Sequence, residues 1–293
     1  MGIKLLNRLI QSRCKNSQNL IPLMKLKGKV VVVDISIYLY RFKSRGALIE
    51  NIYLMCGVFR FYDIIPLFIF DGVPPARKGA ELNKRKCDKI KAFEKYKNLS
   101  KRLGESRFTQ RNMREMERLR RMLTTISRDD INNVKEIIQF YGLTYIVASK
   151  EADELCAALV KSGKAYACLS EDTDLFVYGC PLVLRYLSLK NHTVVLYDYK
   201  KVLHELNLSD TKFRKLCVIS GTDYNKYENM NIINNYQLYK GDINICLTKE
   251  QTNIYDIFDI KNDNTFDNLL IENGAINKLE LMKKMKDYNF VFA

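Results

Sequence analysis

The feature that most constrains this chain is a short apolar, β-branched run that stops at a carboxylate, used more than once. Val30-Val31-Val32-Val33 ends in Asp34, and Ile64–Phe70 ends in Asp71. Ala165–Leu169 stops at Ser170, and Glu171, Asp172 and Asp174 follow at once. Continuous apolar runs bounded by polar turns read as strands covered on both faces, the kind found in parallel sheets. Leu143–Val147 predicts another strand, and Glu151–Val160 a helix directly after it. Strands of a parallel sheet bring their carboxyl ends to one edge, where open α/β sheets hold their ligands. Asp34, Asp71, Glu151, Asp153, Asp172 and Asp174 are thereby expected at one lip. Asp223, in the turn Gly221-Thr222-Asp223-Tyr224, is the seventh candidate.

The remaining pattern fits the same architecture. Leu5, Leu6, Leu9 and Ile10 have helical spacing and Pro22 interrupts, so Met1–Leu26 reads as a helix followed by a loop. Helices are predicted over Asn51–Asp63, Arg128–Tyr141, Asp198–Leu206 and Asp210–Ile219. Leu182–Leu187 and Val194–Tyr197 read as a hairpin or paired strands. Beyond Asp223 the chain turns Asn-rich and weakly periodic. Alternating strands and helices predict an α/β domain around a central, mainly parallel, twisted sheet.

Several classes are excluded. The longest apolar segments, near Val30–Val33 and Ile64–Phe70, fall far short of the ~18–20 residues of a membrane span. The eight cysteines form no Cys-x-x-Cys and there are two histidines, which argues against a zinc site. Cysteines in apolar context read as small buried hydrophobes in a reducing compartment. Any metal is then held by oxygen, which means Mg²⁺ or Mn²⁺. Clustered carboxylates repel unless cations neutralise them. Seven of them imply two hard divalent ions, and a pair about 4 Å apart suits in-line displacement at phosphorus.

The net charge of +15 is concentrated. Arg77–Arg121 carries 17 Lys/Arg against 6 Asp/Glu, in strong helix formers with Gly104 as a break. Such a block suggests a polyanion partner, the plainer alternative being a solvated helix.

In these residues the chain resembles the flap endonucleases, the structure-specific 5′-nucleases related to the xeroderma-pigmentosum-G nuclease. The matching stretches are Met1-Gly2-Ile3, VVVDIS around Asp34, FIFDGVPP around Asp71, the block Lys150–Gly179, and VISGTDY over Val218–Tyr224. They occur in family order over about residues 1–225. The resemblance implies a PIN-like nuclease fold with two Mg²⁺ ions, Mn²⁺ being a substitute. Asp34, Asp71, Glu151 and Asp153 would surround the first, and Asp172, Asp174 and Asp223 the second. The family usually has Glu where this chain has Asp153, which shortens the reach by one methylene and keeps the charge.

It further implies a basic gateway helix, matched by Lys78 and Arg85 beside Arg77 and Lys84, with the block to about Arg121 forming an arch for a single-stranded 5′ end. Tyr40 matches a family aromatic on which a base stacks; read by itself it is equally a core tyrosine. The resemblance thus divides a single nuclease domain, 1–293, into an N-terminal region over 1–105, a basic arch over about 77–125 and an internal region over 126–225. A helix–turn–helix over about 215–250 and a C-terminal extension over 251–293 complete it. The helix–turn–helix is degenerate: Asn229-Met230-Asn231-Ile232-Ile233-Asn234-Asn235 stands where the family has a Gly-apolar-Gly turn that holds duplex DNA and K⁺. An Asn-rich turn can keep that geometry through a positive φ. Gln251–Phe258 is a poor sliding-clamp box because Ile257 replaces an aromatic.

The expected activity is metal-dependent hydrolysis of DNA bearing 5′ flaps, nicks or branches, by a monomer without a membrane partner, in replication, repair or recombination. The expected location is the nucleus or a cytoplasmic viral replication site. The rivals are a non-catalytic DNA-binding scaffold, and a related enzyme that is a 5′-to-3′ exonuclease or a nuclease for RNA or bubbles.

Overall fold

The structure is a computed structural model describing residues 2–103, 109–225, 231–241, 243–260 and 271–290. Seven strands form one sheet: β1 Gln18–Pro22, β2 Val30–Asp34, β3 Ile65–Phe70, β4 Thr144–Val147, β5 Ala167–Leu169, β6 Leu182–Ser188 and β7 Thr193–Asp198. Their spatial order is β1-β7-β6-β5-β2-β3-β4. The pairings from β6 through β5, β2 and β3 to β4 are parallel. β7 and β1 extend that sheet antiparallel.

The helices in chain order are α1 Leu6–Arg13, α2 Ile35–Ser44, α3 Leu48–Phe61, α4 Gly79–Leu103, α5 Gln110–Leu123, α6 Arg128–Phe140 and α7 Ala152–Lys161. They continue with α8 Asp174–Val177, α9 Tyr199–Leu206, α10 Asp210–Ser220, α11 Ile232–Tyr239, α12 Lys249–Tyr255 and α13 Lys278–Lys286. Among the described residues no helix is long and apolar enough to cross a membrane.

The period of two along the strands sorts side chains into two cores. Val32, Leu67, Ile69, Cys168 and Val183 face one, covered by α1 and by helices from α7 to α12. Val31, Val33, Phe68, Leu169 and Leu184 face the other, covered by α2, α3, α6 and α13. Helices on both faces bury the central strands completely, which is why their sequences are unbroken apolar runs. α4 and α5 belong to neither core. They pack on each other, and among the described residues only Ala92 and Leu119 of their apolar side chains are fully buried.

Several expectations need correction. The loop predicted before Leu26 contains strand β1, which pairs antiparallel with β7. Only Ile21 of that strand is buried, so it carries no alternation to read, and Pro22 closes it at an edge where a missing donor is tolerated. The Asn-rich turn keeps no left-handed Asn231: its φ is −146°, and its side chain instead caps α11 by accepting from the Ile233 and Asn234 amides. Asn235 is buried and donates to Ser220 Oγ at 2.9 Å, tying α11 to the end of α10. Asn229 and Met230 lie outside the described residues, as do Met1 and Gly104. In the clamp-like stretch, Ile254 and Phe258 are buried, with the Phe258 ring 4.9 Å from Tyr178 and 5.8 Å from Tyr224.

Candidate active site at the carboxyl edge of the sheet

From β2 the chain moves outward to β3 and β4, then returns to place β5 on the other side of β2. The sheet's topological switch point therefore lies between β2 and β5, where such sheets open a crevice. Asp34 ends β2 on one side of it, and Asp172 and Asp174 follow β5 on the other. Ser170 spans the gap, its Oγ donating to Asp34 Oδ2 at 2.7 Å. Asp34 also caps α2, its Oδ1 accepting from the Ser36 amide at 3.2 Å.

The next strand pair brings two more acids alongside. Gly72 passes so close to the loop after β4 that a Cβ there would lie 1.9 Å from the Ala148 carbonyl oxygen. Glycine alone permits this approach, and the Gly72 amide bonds to the Lys150 carbonyl at 2.7 Å. Asp71 is thereby held against the start of α7, where its Oδ1 accepts from the Ala152 amide at 3.0 Å. Ser36 Oγ donates to its Oδ2. Glu151 is the N-cap residue of α7, and Asp153 lies in its first turn.

The seven carboxylates form one group linked by their charges. Burial pushes Asp34 up to about 7, aided by the charges of Asp71 and Asp172. Asp153 is pushed well above the ordinary carboxylate range by burial and by Asp172 and Glu151. Asp174 is raised likewise, by burial and by Asp172, Asp223 and Asp153. Asp172 shifts upward mainly through burial. Asp174 is 1% exposed, and its Oδ1 has no hydrogen-bond partner. Such a buried, unpaired, anionic oxygen is costly unless something positive reaches it.

Two cations from the base of α4 meet this charge from above. Lys78 Nζ donates to Glu151 Oε1 at 2.5 Å and lies 3.8 Å from Asp223 Oδ2. Burial works against its ammonium, but Glu151, Asp153 and Asp223 outweigh that and hold its pKa above the ordinary value. Arg85 donates from its guanidinium to Asp223 Oδ2 at 3.0 Å and from Nε to Glu81 at 2.9 Å. Its side chain is 43% exposed against 9% for Lys78, so Arg85 is the freer of the two. Arg77 and Lys84 are exposed on the same stretch, and Tyr40 is 47% exposed on α2, not a core residue.

Sequence reading missed the residues that orient these groups. Tyr224 donates its hydroxyl to Glu151 Oε2 at 2.6 Å while its ring lies against Phe258 and beneath the Lys78 ammonium. Ser36 and Ser170 hold Asp71 and Asp34, and both stand within two residues of a strand end, the one signal that was available. The chain at Gly2 also enters the lip: a Cβ there would lie 2.5 Å from Asp172 Oδ1 and 2.7 Å from Asp174 Oδ1. Among the described residues no three His, Cys, Asp or Glu side chains are already closed around one point. Lys78 and Arg85 draw Glu151 and Asp223 toward themselves instead. The donor set still suits divalent cations: it is all oxygen, over-charged, and includes the unsatisfied Asp174 atom.

Switch-point carboxylates under a basic helix, on this sheet, belong to the PIN-like α/β class of folds. The XPG N-terminal domain profile matches residues 1–92 and the XPG I-region profile residues 142–223, together more than half of the chain. The chain belongs to the XPG family of flap endonucleases. It is 31% identical over 245 residues to Flap endonuclease 1 of Glossina morsitans morsitans, covering 76% of this chain and 61% of that protein. It thus spans about three-fifths of the curated relatives it matches. The catalytic core of Rad2 in complex with DNA substrate superposes with a TM-score of 0.71 at 19% identity, over 98% of this chain and 95% of that one. GEN1, in a complex with product DNA, Mg²⁺ and Mn²⁺, gives 0.55 at 18% identity, over 97% and 63%.

Proposed function

We propose that this chain is a metal-dependent nuclease that hydrolyses DNA phosphodiesters at 5′ flaps and related branches, in replication, repair or recombination within the nucleus. The observation that carries the reading is the meeting of seven acids at one switch point beneath two helix-borne cations. The relatives' names agree: flap endonuclease, and Rad2 and GEN1 bound to DNA.

Asp34, Asp71, Glu151 and Asp153 would hold one divalent ion and Asp172, Asp174 and Asp223 a second. When bound, such ions neutralise developing charge and acidify water near neutral pH. The chain's own residues do the rest. Ser36, Ser170 and Tyr224 keep three of the acids oriented, so their charge is in place before substrate arrives. Cations entering the lip would take over the charge that now binds Lys78 and Arg85, freeing both for the scissile phosphate. A fixed cation at that position stabilises charge gathering on the phosphoryl oxygens. Tyr40, exposed on α2, offers a face on which any base can stack. Hydrolysis would leave a 5′-phosphate and a 3′-hydroxyl.

Purified protein with a 5′-labelled flap substrate tests the reading. With Mg²⁺ or Mn²⁺ the wild type should cut at the branch and chelator should stop it. Asp174→Ala should bind the flap and leave it intact. Cutting by that variant at the wild-type rate would overturn the assignment.

A further inference from the structure

Gln251–Phe258, read from the sequence as a poor clamp box, holds a place in the molecule that the nuclease chemistry leaves unexplained. α12 runs into a short 3-10 turn, Asp256–Phe258, and the turn ends on a phenylalanine with no exposed surface. The segment lies beyond the residues that either XPG profile matches. A buried arginine of α10 fastens it: Arg214 donates to Asp259 Oδ1 at 3.2 Å, and its guanidinium lies over the Tyr255 ring. Tyr255 and Asp259 flank Phe258 in the chain, so this anchor fixes where the Phe258 ring goes.

The ring touches two tyrosines, and each serves a different part of the lip. Tyr178, 4.9 Å away between ring centres, caps the end of α8, the short helix that Asp174 opens, and its amide donates to the Asp174 carbonyl at 2.9 Å. Tyr224, 5.8 Å away, follows Asp223 and donates its hydroxyl to Glu151 Oε2. One buried ring thus backs side chains rooted in both halves of the proposed ion site. Tyr224 is only half-buried, with the Lys78 ammonium 5.1 Å from its ring centre, so its hydroxyl can turn away from Glu151 unless the ring is walled in. Phe258 meets it at 81°, an edge-to-face contact of the kind aromatic pairs favour. Groups that hydrogen-bond an ion's ligands set the orientation of those ligands and the affinity for the ion.

Resting on the nuclease reading above, we propose that Phe258 is a positioning residue for the lip. Its ring acts through Tyr224 to hold the Glu151 carboxylate, and so couples the segment after α11 to the site at the sheet edge. The stretch that resembles a clamp box is on this reading a latch inside the enzyme.

A double-mutant cycle on the full chain tests this, with wild type, Phe258→Ala, Tyr224→Phe and the combined variant. Mn²⁺ binding is measured by calorimetry without DNA, and kcat and KM for a flap are measured in Mg²⁺. Phe258→Ala should weaken Mn²⁺ binding and lower kcat by about tenfold each, with KM nearly unchanged. In the Tyr224→Phe background the same change should add almost nothing, because the bond it acts through is already gone. Phe258→Leu, which keeps most of the volume, should fall between, about threefold below wild type, and it carries the same cycle if the alanine variant does not fold. Ile254→Ala is the control: Ile254 is buried in the same core, so its loss should lower the melting temperature while Mn²⁺ binding and kcat stay at wild type. Losses from Phe258 and Tyr224 that simply multiply, or an Ile254→Ala protein as impaired as Phe258→Ala, would make Phe258 a core residue only and leave the nuclease reading intact. A wild type that binds Mn²⁺ but cuts no flap would overturn the nuclease reading while the binding arm still decides the latch. One that neither binds Mn²⁺ nor cuts would overturn both.

Discussion

The carboxylate lip and the α4–α5 pair are built on opposite principles. The lip is rooted in five parallel strands, with Asp34, Asp172 and Asp174 nearly excluded from water and held by buried serine and backbone contacts. The helix pair hangs outside both cores, buries few apolar side chains, and carries most of the chain's surplus positive charge. One region stores unfavourable charge in a rigid frame, and the other spends little packing and keeps its cations in solvent. They touch where Lys78 and Arg85 reach Glu151 and Asp223. On the proposed reading, chemistry would be fixed by the sheet, while capture would be left to a less anchored element.

The sharpest way to break the contrast is to remove a charge from the lip. Asp174→Asn should lower flap cutting by roughly a thousandfold, because a cation contact worth several kcal/mol in the transition state is lost. The same change should raise the melting temperature of the metal-free protein at high pH, where Asp174 would otherwise be a buried, unpaired anion. A fall in both would make Asp174 merely structural. Next in size is the contact between the regions. Arg85→Ala should slow cutting by about a hundredfold, comparable to losing one fixed donor to a developing oxyanion, with flap binding reduced far less in a gel-shift titration. Tyr224→Phe keeps the ring against Phe258 and removes only the bond to Glu151, so a drop in activity of about tenfold with unchanged stability is expected.

Proton linkage gives a gentler probe. Asp34 in the folded chain titrates near 7, against the ordinary carboxylate value of 3.8 when unfolded. Between those values the folded state holds the extra proton, so the stability of metal-free protein should fall as pH rises from about 4 to about 7. Asp153 and Asp174, raised by burial and then by neighbouring charges, act in the same direction. Mg²⁺ should flatten that slope in melting experiments, because it favours the ionised acids. The smallest effect is expected on the arch. Lys91→Ala, on an exposed position of α4, should leave cutting at low salt nearly intact and reduce the salt slope of flap binding by at most about one.

The lip was legible in the sequence because of how α/β chains are connected. Each strand must hand over to a helix at the same edge, so Asp34, Asp71, Asp172 and Asp174 announced themselves by ending apolar runs. What orients them was not legible. Ser170 reaches Asp34 across 136 residues, and Tyr224 reaches Glu151 across 73; neither pairing leaves a local trace. β1 and α13 escaped for another reason. Only Ile21 is buried in β1 and only Leu281 and Met285 in α13, too few positions to set up a period. At Asn231 the sequence left two roles open, because asparagine serves caps as readily as left-handed turns, and Asn231 took the first.

Crystals grown or soaked with Mn²⁺ test the central claim most directly, through the anomalous signal of the metal. Two manganese peaks about 4 Å apart are expected, one among Asp34, Asp71, Glu151 and Asp153 and the other among Asp172, Asp174 and Asp223, with Lys78 and Arg85 released from their present partners. A lip without manganese, its acids still paired to Lys78 and Arg85 at saturating metal, would contradict it.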